Sequence, residues 1–488
     1  MGYTTRVVSL SSLMDNLAQS YGLPPVEGAL PELDRIRARM KMGNELRQMT
    51  NTPEIMALAA IQNLNLYRKS IGGPEAQPAL GTVHILSTLK RPEEVEALRR
   101  VYGAGFFLLG LHDTESGRSN YLVDQQGIYS QDATQLMIDD QDDHQDSGQL
   151  TRDTYYLSDV FVSLEEKKYK QQVKRFVELL FSHPYHTPTR DEYSMFMAYA
   201  ASLRSSQLGR QVGASILSRA GDIVGLGSND VPRPGGGQYW CEDDVDQRDH
   251  KVGVDSNDVQ KQKIIEDILK RLGCASMDPA LVKQKLRGSL LSDITEFGRA
   301  MHAEMDAILS CARNGISVLG TTLYTTTFPC HNCARHLLGA GVQRVVYIEP
   351  YAKSAALDLH TDGITVDTVQ NEKKKNSTSG IGAKIPFESF VGIGPRRYGD
   401  LFPMSPNYGR KVERKRDGKV IDWPNEGKRP RLPMHPISYL QREKLSVAEL
   451  DEIIAEGGRR DGEQTAKQPI RGVPATPPRK RARSQRLA

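Results

Sequence analysis

Two short runs hold the residues whose types and spacing could do chemistry: His302-Ala303-Glu304 and Pro329-Cys330-His331-Asn332-Cys333. One imidazole and two thiols make a three-point ligand set, and catalytic zinc takes three such protein ligands and leaves a fourth position to water. Zinc lowers the pKa of that water to about 7. Moving its protons still needs a neighbouring carboxylate, and Glu304 stands two residues after the histidine. A structural zinc knuckle, or a histidine and two cysteines that bind nothing, are the bland alternatives. A structural site would want a fourth ligand at regular spacing, and Cys311 is the only other nearby thiol.

The surrounding pattern supplies elements to position these groups. Met305, Ile308, Leu309 and Ala312 recur at helical spacing, so a helix with one apolar stripe begins close to His302. Ala334, Leu337, Leu338 and Gly341 repeat the pattern and put Cys330 and Cys333 in the first turn of a second helix, where the positive dipole end favours thiolates. Between them, Thr321–Thr327 is β-rich and reads as a strand. H-x-E followed by P-C-x-x-C is the signature of zinc-dependent base deaminases. The chain resembles that group.

Upstream, helices are expected over 164–181 and 191–206, then a hairpin of strands 211–217 and 222–227 around Arg219-Ala220-Gly221. With a strand at 344–348 the order becomes α-β-β-α-β-α-β, which resembles the cytidine deaminase fold, a sheet with both metal-bearing helices on one face. Arg210-Gln211-Val212-Gly213-Ala214 and the run Gly225 to Arg233 are similar to the dCMP deaminases, in which an asparagine after the second strand contacts the sugar. The resemblance implies that role for Asn229; a turn asparagine at positive φ is the plain alternative. Tyr351, Lys353 and Ser354, just past a strand, match a tyrosine-x-lysine-serine near the substrate of dCMP and dCTP deaminases, which implies substrate phosphate contacts.

Residues 232–292 read as an insertion. Gly235-Gly236-Gly237 beside Tyr239 and Trp240 makes either a mobile lid or a loop whose aromatics bury, the second being favoured. Cys241 and Cys274 have no partner at zinc spacing. Gly235–Trp240, Arg248-Asp249, Asp255-Ser256-Asn257 and 385–398 are again similar to the anti-phage dCTP deaminases.

Residues 1–123 alternate strand and helix signals: a strand over Thr5–Leu10, helices to Ala18 and over 33–46 and 55–67, then apolar runs at Val83–Leu86 and Phe106–Leu109. Continuous apolar runs separated by helices argue for a parallel sheet covered on both faces. Through Met42–Arg47 and Leu89–Val95 this region resembles the P-loop, kinase-like domain of the anti-phage dCTP deaminases, with Thr5–Leu10 as its second strand. No G-x-x-x-x-G-K-[ST] occurs in the sequence, so the domain is read as incomplete and without NTP hydrolysis. Residues 124–160, with Asp139, Asp140, Asp142, Asp143 and Asp146, read as an acidic linker. Residues 161–408 form the deaminase domain, and 409–488 a basic, partly disordered extension with one helix at 446–455.

The fold class expected is therefore α/β, a C-terminal cytidine deaminase-like αβα domain after a partial P-loop NTPase-like one. The composition is that of an ordinary soluble protein, 38% hydrophobic and 25% charged, with net charge +4. Five cysteines in 488 residues argue against a disulfide framework. No apolar run approaches the ~20 residues needed to cross a bilayer, so no membrane partner is expected and the cytoplasm is the expected compartment. The resemblance implies one Zn2+ per site, dCTP or dCMP as substrate, depletion of these nucleotides during phage infection, a homo-oligomer, and a regulatory RNA or nucleotide. A deaminase of bases in single-stranded DNA or tRNA, or a catalytically silent RNA-binding partner, are the competing readings.

Overall fold

The computed structural model describes residues 2–26, 28, 30–73, 76–141, 147–164, 168–286, 289–351, 354–366, 384–406, 409–423, 428, 430–432 and 436–465. In chain order the main strands are β1 (Thr4–Ser9), β2 (Thr82–Ser87), β3 (Leu109–His112), β4 (Val160–Ser163), β5 (Gly213–Leu217), β6 (Ile223–Ser228), β7 (Thr322–Thr327), β8 (Arg344–Glu349), β9 (Ile364–Thr365), β10 (Ile385–Ser389) and β11 (Gly392–Ile393).

The largest sheet has the order β6-β5-β7-β8-β10-β9. The hairpin β5–β6 is antiparallel and β5 runs antiparallel to β7, while β7, β8, β10 and β9 are parallel neighbours. The strands β6, β7 and β8 therefore end on one common edge. Both helices that follow the candidate metal ligands, Ala303–Arg313 and His331–Ala340, pack on one face through Ala303, Ala307, Cys311, Ala334 and Leu337. The Arg190–Ser202 helix covers the other face through Met195 and Ala198, against Tyr324, Val346 and Ile348. This is the expected αβα sandwich.

Glycines set how close the layers come. A Cβ on Gly227 would strike the Ala303 carbonyl, and one on Gly225 would stand 2.6 Å from Cys311 Sγ, so β6 is bare of side chains where the Ala303–Arg313 helix lies on it.

The first part of the chain departs from expectation. Instead of one parallel sheet covered on both faces there are two small ones, β1 paired parallel with β2 and β3 paired parallel with β4. One face of the β1–β2 pair stays exposed at Val7, Val83 and Ile85. The third strand begins at Leu109 rather than Phe106, because Phe107 turns away to meet Phe176, ring centroids 5.4 Å apart.

Residues 124–160, expected as a linker, hold the helices Ser130–Gln141 and Thr151–Tyr156. Ala133 and Leu136, one helical turn apart, bury against Leu33, Ile36 and Met40, so a few correctly spaced apolar residues suffice in an acidic background. Asp142, Asp143 and Asp146 lie outside the described residues.

The C-terminal helix is also longer than expected, Pro436–Thr465, and belongs to the first hydrophobic core through Tyr439 and Leu450. Arg68 and Glu443 form a buried ion pair at 3.0 Å beneath it. The basic run Pro477–Arg486 lies outside the described residues.

Candidate active site

His302 caps the Ala303–Arg313 helix with an extended backbone (φ −72°, ψ 153°), and Cys330 caps the His331–Ala340 helix the same way (φ −67°, ψ 165°). Two helix N-termini thus point at one place, beside the carboxyl edge shared by β6, β7 and β8. The Met301 N–H donates to the Asp230 carbonyl at 2.9 Å, which ties the residue before His302 to the turn after β6.

His302 Nδ1 lies 3.2 Å from Cys330 Sγ and 3.3 Å from Cys333 Sγ, and the three possible ligand atoms all fall within 4.8 Å of one another. Tetrahedral zinc, with Zn–S about 2.3 Å and Zn–N about 2.0–2.1 Å, holds such atoms roughly 3.6–3.8 Å apart, so the residues present fit that ion with a few tenths of an ångström of expansion. Cys330 and Cys333 are buried. Among the described residues this is the one His/Cys/Asp/Glu cluster that could hold a metal. Cys241 and Cys274 take no part in it.

Glu304 is 4% exposed, and its Oε2 accepts from the Cys333 thiol at 3.6 Å. Burial pushes its carboxyl up to about 7, partly offset by the charge of His302. The protein groups share protons unevenly. Hydrogen bonding with Cys333 and with His302 brings Cys330 down to about 4, while the same Cys330 contact and burial raise Cys333 well above the usual thiol value. Contact with Cys330 raises His302 to about 9 against its burial. A cation bound here would displace the protons these side chains share.

Asn229 sits at the same edge, and it is not at positive φ. Its Oδ1 accepts the Val212 N–H at 2.6 Å and its Nδ2 donates to the Arg210 carbonyl at 2.8 Å, so the side chain pins the 210–212 segment to the end of β6. Ser354 also lies beside the cluster. Its hydroxyl donates to the Pro329 carbonyl at 2.8 Å and accepts from the Ala356 N–H at 3.3 Å, which commits its single hydrogen within the protein. The Tyr351 ring packs under the Arg210 guanidinium, 5.8 Å to its centroid. Lys353 lies outside the described residues.

Several residues around the site carried no signal in isolation. Arg210 pairs with Glu349 at 2.9 Å, and Glu349 also accepts from Thr327 Oγ1 at 3.1 Å, linking the ends of β7 and β8. His331 Nε2 meets Glu296 Oε1 at 3.0 Å, so the segment just before the His302 helix is tied to the cysteine loop. Gly235, Gly236 and Gly237 all take positive φ, and Trp240 remains 48% exposed with Arg204 stacked 3.9 Å over its ring, contrary to the favoured expectation of burial. The ligand set and its carboxylate are readable in the sequence; the charge network around them needs the fold.

Residues 188–349 match the family described as the cytidine and deoxycytidylate deaminase zinc-binding region. A probable deoxycytidylate deaminase of Drosophila melanogaster is 28% identical over 201 residues, 41% of this chain and 78% of that one. The deoxycytidylate deaminase of Enterobacteria phage T2 is 46% identical over 54 residues, 11% of this chain and 29% of the phage protein. The human deoxycytidylate deaminase is 26% identical over 157 residues, 32% of this chain and 63% of that one. Among solved structures, the dCMP deaminase of cyanophage S-TIM5 in complex with dCMP and dUMP aligns with 42% of this chain and all of its own, at 20% identity and a TM-score of 0.23.

Proposed function

We propose that this chain, whose residues 188–349 match the cytidine and deoxycytidylate deaminase zinc-binding region, hydrolyses a deoxycytidine nucleotide, dCMP or dCTP, to the deoxyuridine nucleotide and ammonia. The observation that carries the reading is the triangle of His302, Cys330 and Cys333 with the buried carboxyl of Glu304 against it. His302, Cys330 and Cys333 would hold one Zn2+, which when bound supplies a Lewis acid that activates water.

Glu304 does the proton work. It takes a proton from the water that attacks C4 of cytosine, protonates N3, and delivers a proton to the departing amine. Its burial suits both halves of the cycle, since a carboxyl near neutrality gives and takes protons readily. Asn229 orients the 210–212 segment toward the sugar. Phosphate falls to Lys353 and to the Tyr351–Ser354 corner, with Ser354 acting through the backbone it braces.

Residues 1–123 are read as a kinase-like body with a structural or regulatory role. The resemblance of 235–257 and 385–398 to anti-phage enzymes supports nucleotide depletion during infection as the biological setting. Assaying dCMP, dCTP and a cytosine-containing oligonucleotide side by side tests the substrate. Turnover of the free nucleotides, lost by a factor of about 10²–10⁴ in Glu304→Gln, is expected; turnover of the oligonucleotide alone would overturn the reading.

A further inference from the structure

A cavity of about 600 Å³ opens in the first part of the chain, far in sequence from the residues just described. Leu10, Thr88, Asp113 and Leu164, which line it, are the residues after or immediately following the last of β1, β2, β3 and β4. The carboxyl ends of parallel strands are where open α/β sheets bind ligands. Its volume is in the range of small-molecule sites.

The lining has a definite chemistry. Arg35, Arg39, Arg47, Lys90 and Arg118 face Glu94, Asp113 and Asp140, an excess of cations. Most of these pair within the protein, Arg39 with Asp15 and Lys90 with Asp140, whereas Arg118 has no ion pair among the described residues. Arg47 is 6% exposed and pairs with Glu94 at 3.3 Å through Nη2, but its Nε, like Nε of Arg39 and Arg118 and Oε1 of the equally buried Gln149, has no hydrogen-bond partner among the described residues. A ligand oxygen would supply the partner that these buried N–H donors lack. The rest of the wall is apolar and rich in methionine: Met14, Met40, Met56 and Met137. Thioethers adapt to flat rings.

Two backbone features have no explanation among the described residues. Gly43 lies inside the Glu32–Thr50 helix, where glycine is less favourable than alanine. A Cβ there would meet Met14 Sδ at 3.5 Å and the Arg47 guanidinium at 3.6 and 3.8 Å, ordinary contacts, so none of these neighbours demands the glycine. Thr88, a β-branched residue, is held at φ +69° on the rim. Both keep room where the strands end.

We propose that this cavity binds a nucleoside phosphate, its phosphates meeting the arginine side and its base the methionine wall. The site is separate from the His302–Cys333 cluster, and the proposal does not rest on the deaminase reading.

The test uses the full chain carrying Glu304→Gln, so that no nucleotide is consumed, titrated calorimetrically with ATP, dTTP, dCTP and inorganic tripolyphosphate. At least one nucleotide should bind, and Gly43→Leu, which fills the cavity, and Arg118→Glu should each weaken that binding tenfold or more while zinc content and melting temperature stay the same. Should Gly43→Leu fail to fold, Arg118→Glu decides alone. Absence of nucleotide binding, equal binding in the variants, or tripolyphosphate binding as tightly as any nucleotide would each overturn the proposal. Because binding is read rather than turnover, these outcomes leave the deaminase reading untouched.

Discussion

Ser354 Oγ donates a 2.8 Å hydrogen bond to the carbonyl of Pro329, the residue directly before Cys330. A loop after β8 thereby holds the turn that presents the cysteines. One such bond is worth about 1 kcal/mol net, or about fivefold in an equilibrium. Ser354→Ala should therefore weaken zinc binding about fivefold in competition with a chromogenic chelator. An unchanged zinc affinity would mean the turn is held without it.

The two thiols and the imidazole make metal binding a competition with protons, since ligands must be deprotonated to bind. Chelation should abolish turnover, and added zinc should restore it. His302→Ala and Cys333→Ala should lose both metal and activity, whereas Glu304→Gln should keep about one zinc per chain and lose activity alone. Metal analysis of the purified variants separates ligand from proton carrier; loss of zinc from Glu304→Gln would put that residue in the ligand set instead.

The close approach of β6 to the Ala303–Arg313 helix yields a third prediction. Gly227→Ala forces a Cβ into the backbone at Ala303, one residue after His302, and backbone cannot rotate aside as a side chain can. Overpacking of this kind costs about 1–3 kcal/mol or more. The variant should melt several degrees lower and bind zinc more weakly, because the shift begins beside a ligand. A thermal melt matching the parent would show that the helix moves freely.

Much of this site was legible because short-range chemistry wrote it. His302, Glu304, Cys330 and Cys333 sit on helix starts whose apolar spacing appears in the sequence, and the positions of the helices followed. The role of Asn229 was less legible: its spacing marked the turn, but the partners Val212 and Arg210 are chosen by strand pairing. The helices of the acidic stretch and the full length of the C-terminal helix escape the sequence for a common reason. Overall polarity suggested solvent, while single buried positions, Leu136 in one and Tyr439 and Leu450 in the other, anchor helices to cores formed by residues hundreds of positions away or masked by aspartates. Burial by distant partners leaves little local periodicity to read.

Asp191, in the first turn of the Arg190–Ser202 helix, binds that layer to the sheet. It accepts two bonds from Arg344 at 2.9 Å and one from Tyr324 Oη at 2.6 Å. Burial alone would raise its carboxyl, but the guanidinium of Arg344 outweighs this and holds it below the usual range. The folded value thus lies under the unfolded one, about 3.9. Its contribution is fully present above that pH and is lost as pH falls through the folded value. Asp191 remains about a third exposed, so the contribution is small, at most about 1 kcal/mol after solvent screening. Asp191→Asn should lower the melting temperature at pH 7 by a few degrees and narrow its gap to the parent as pH drops below 4. A gap independent of pH would assign the effect to the hydrogen bonds alone.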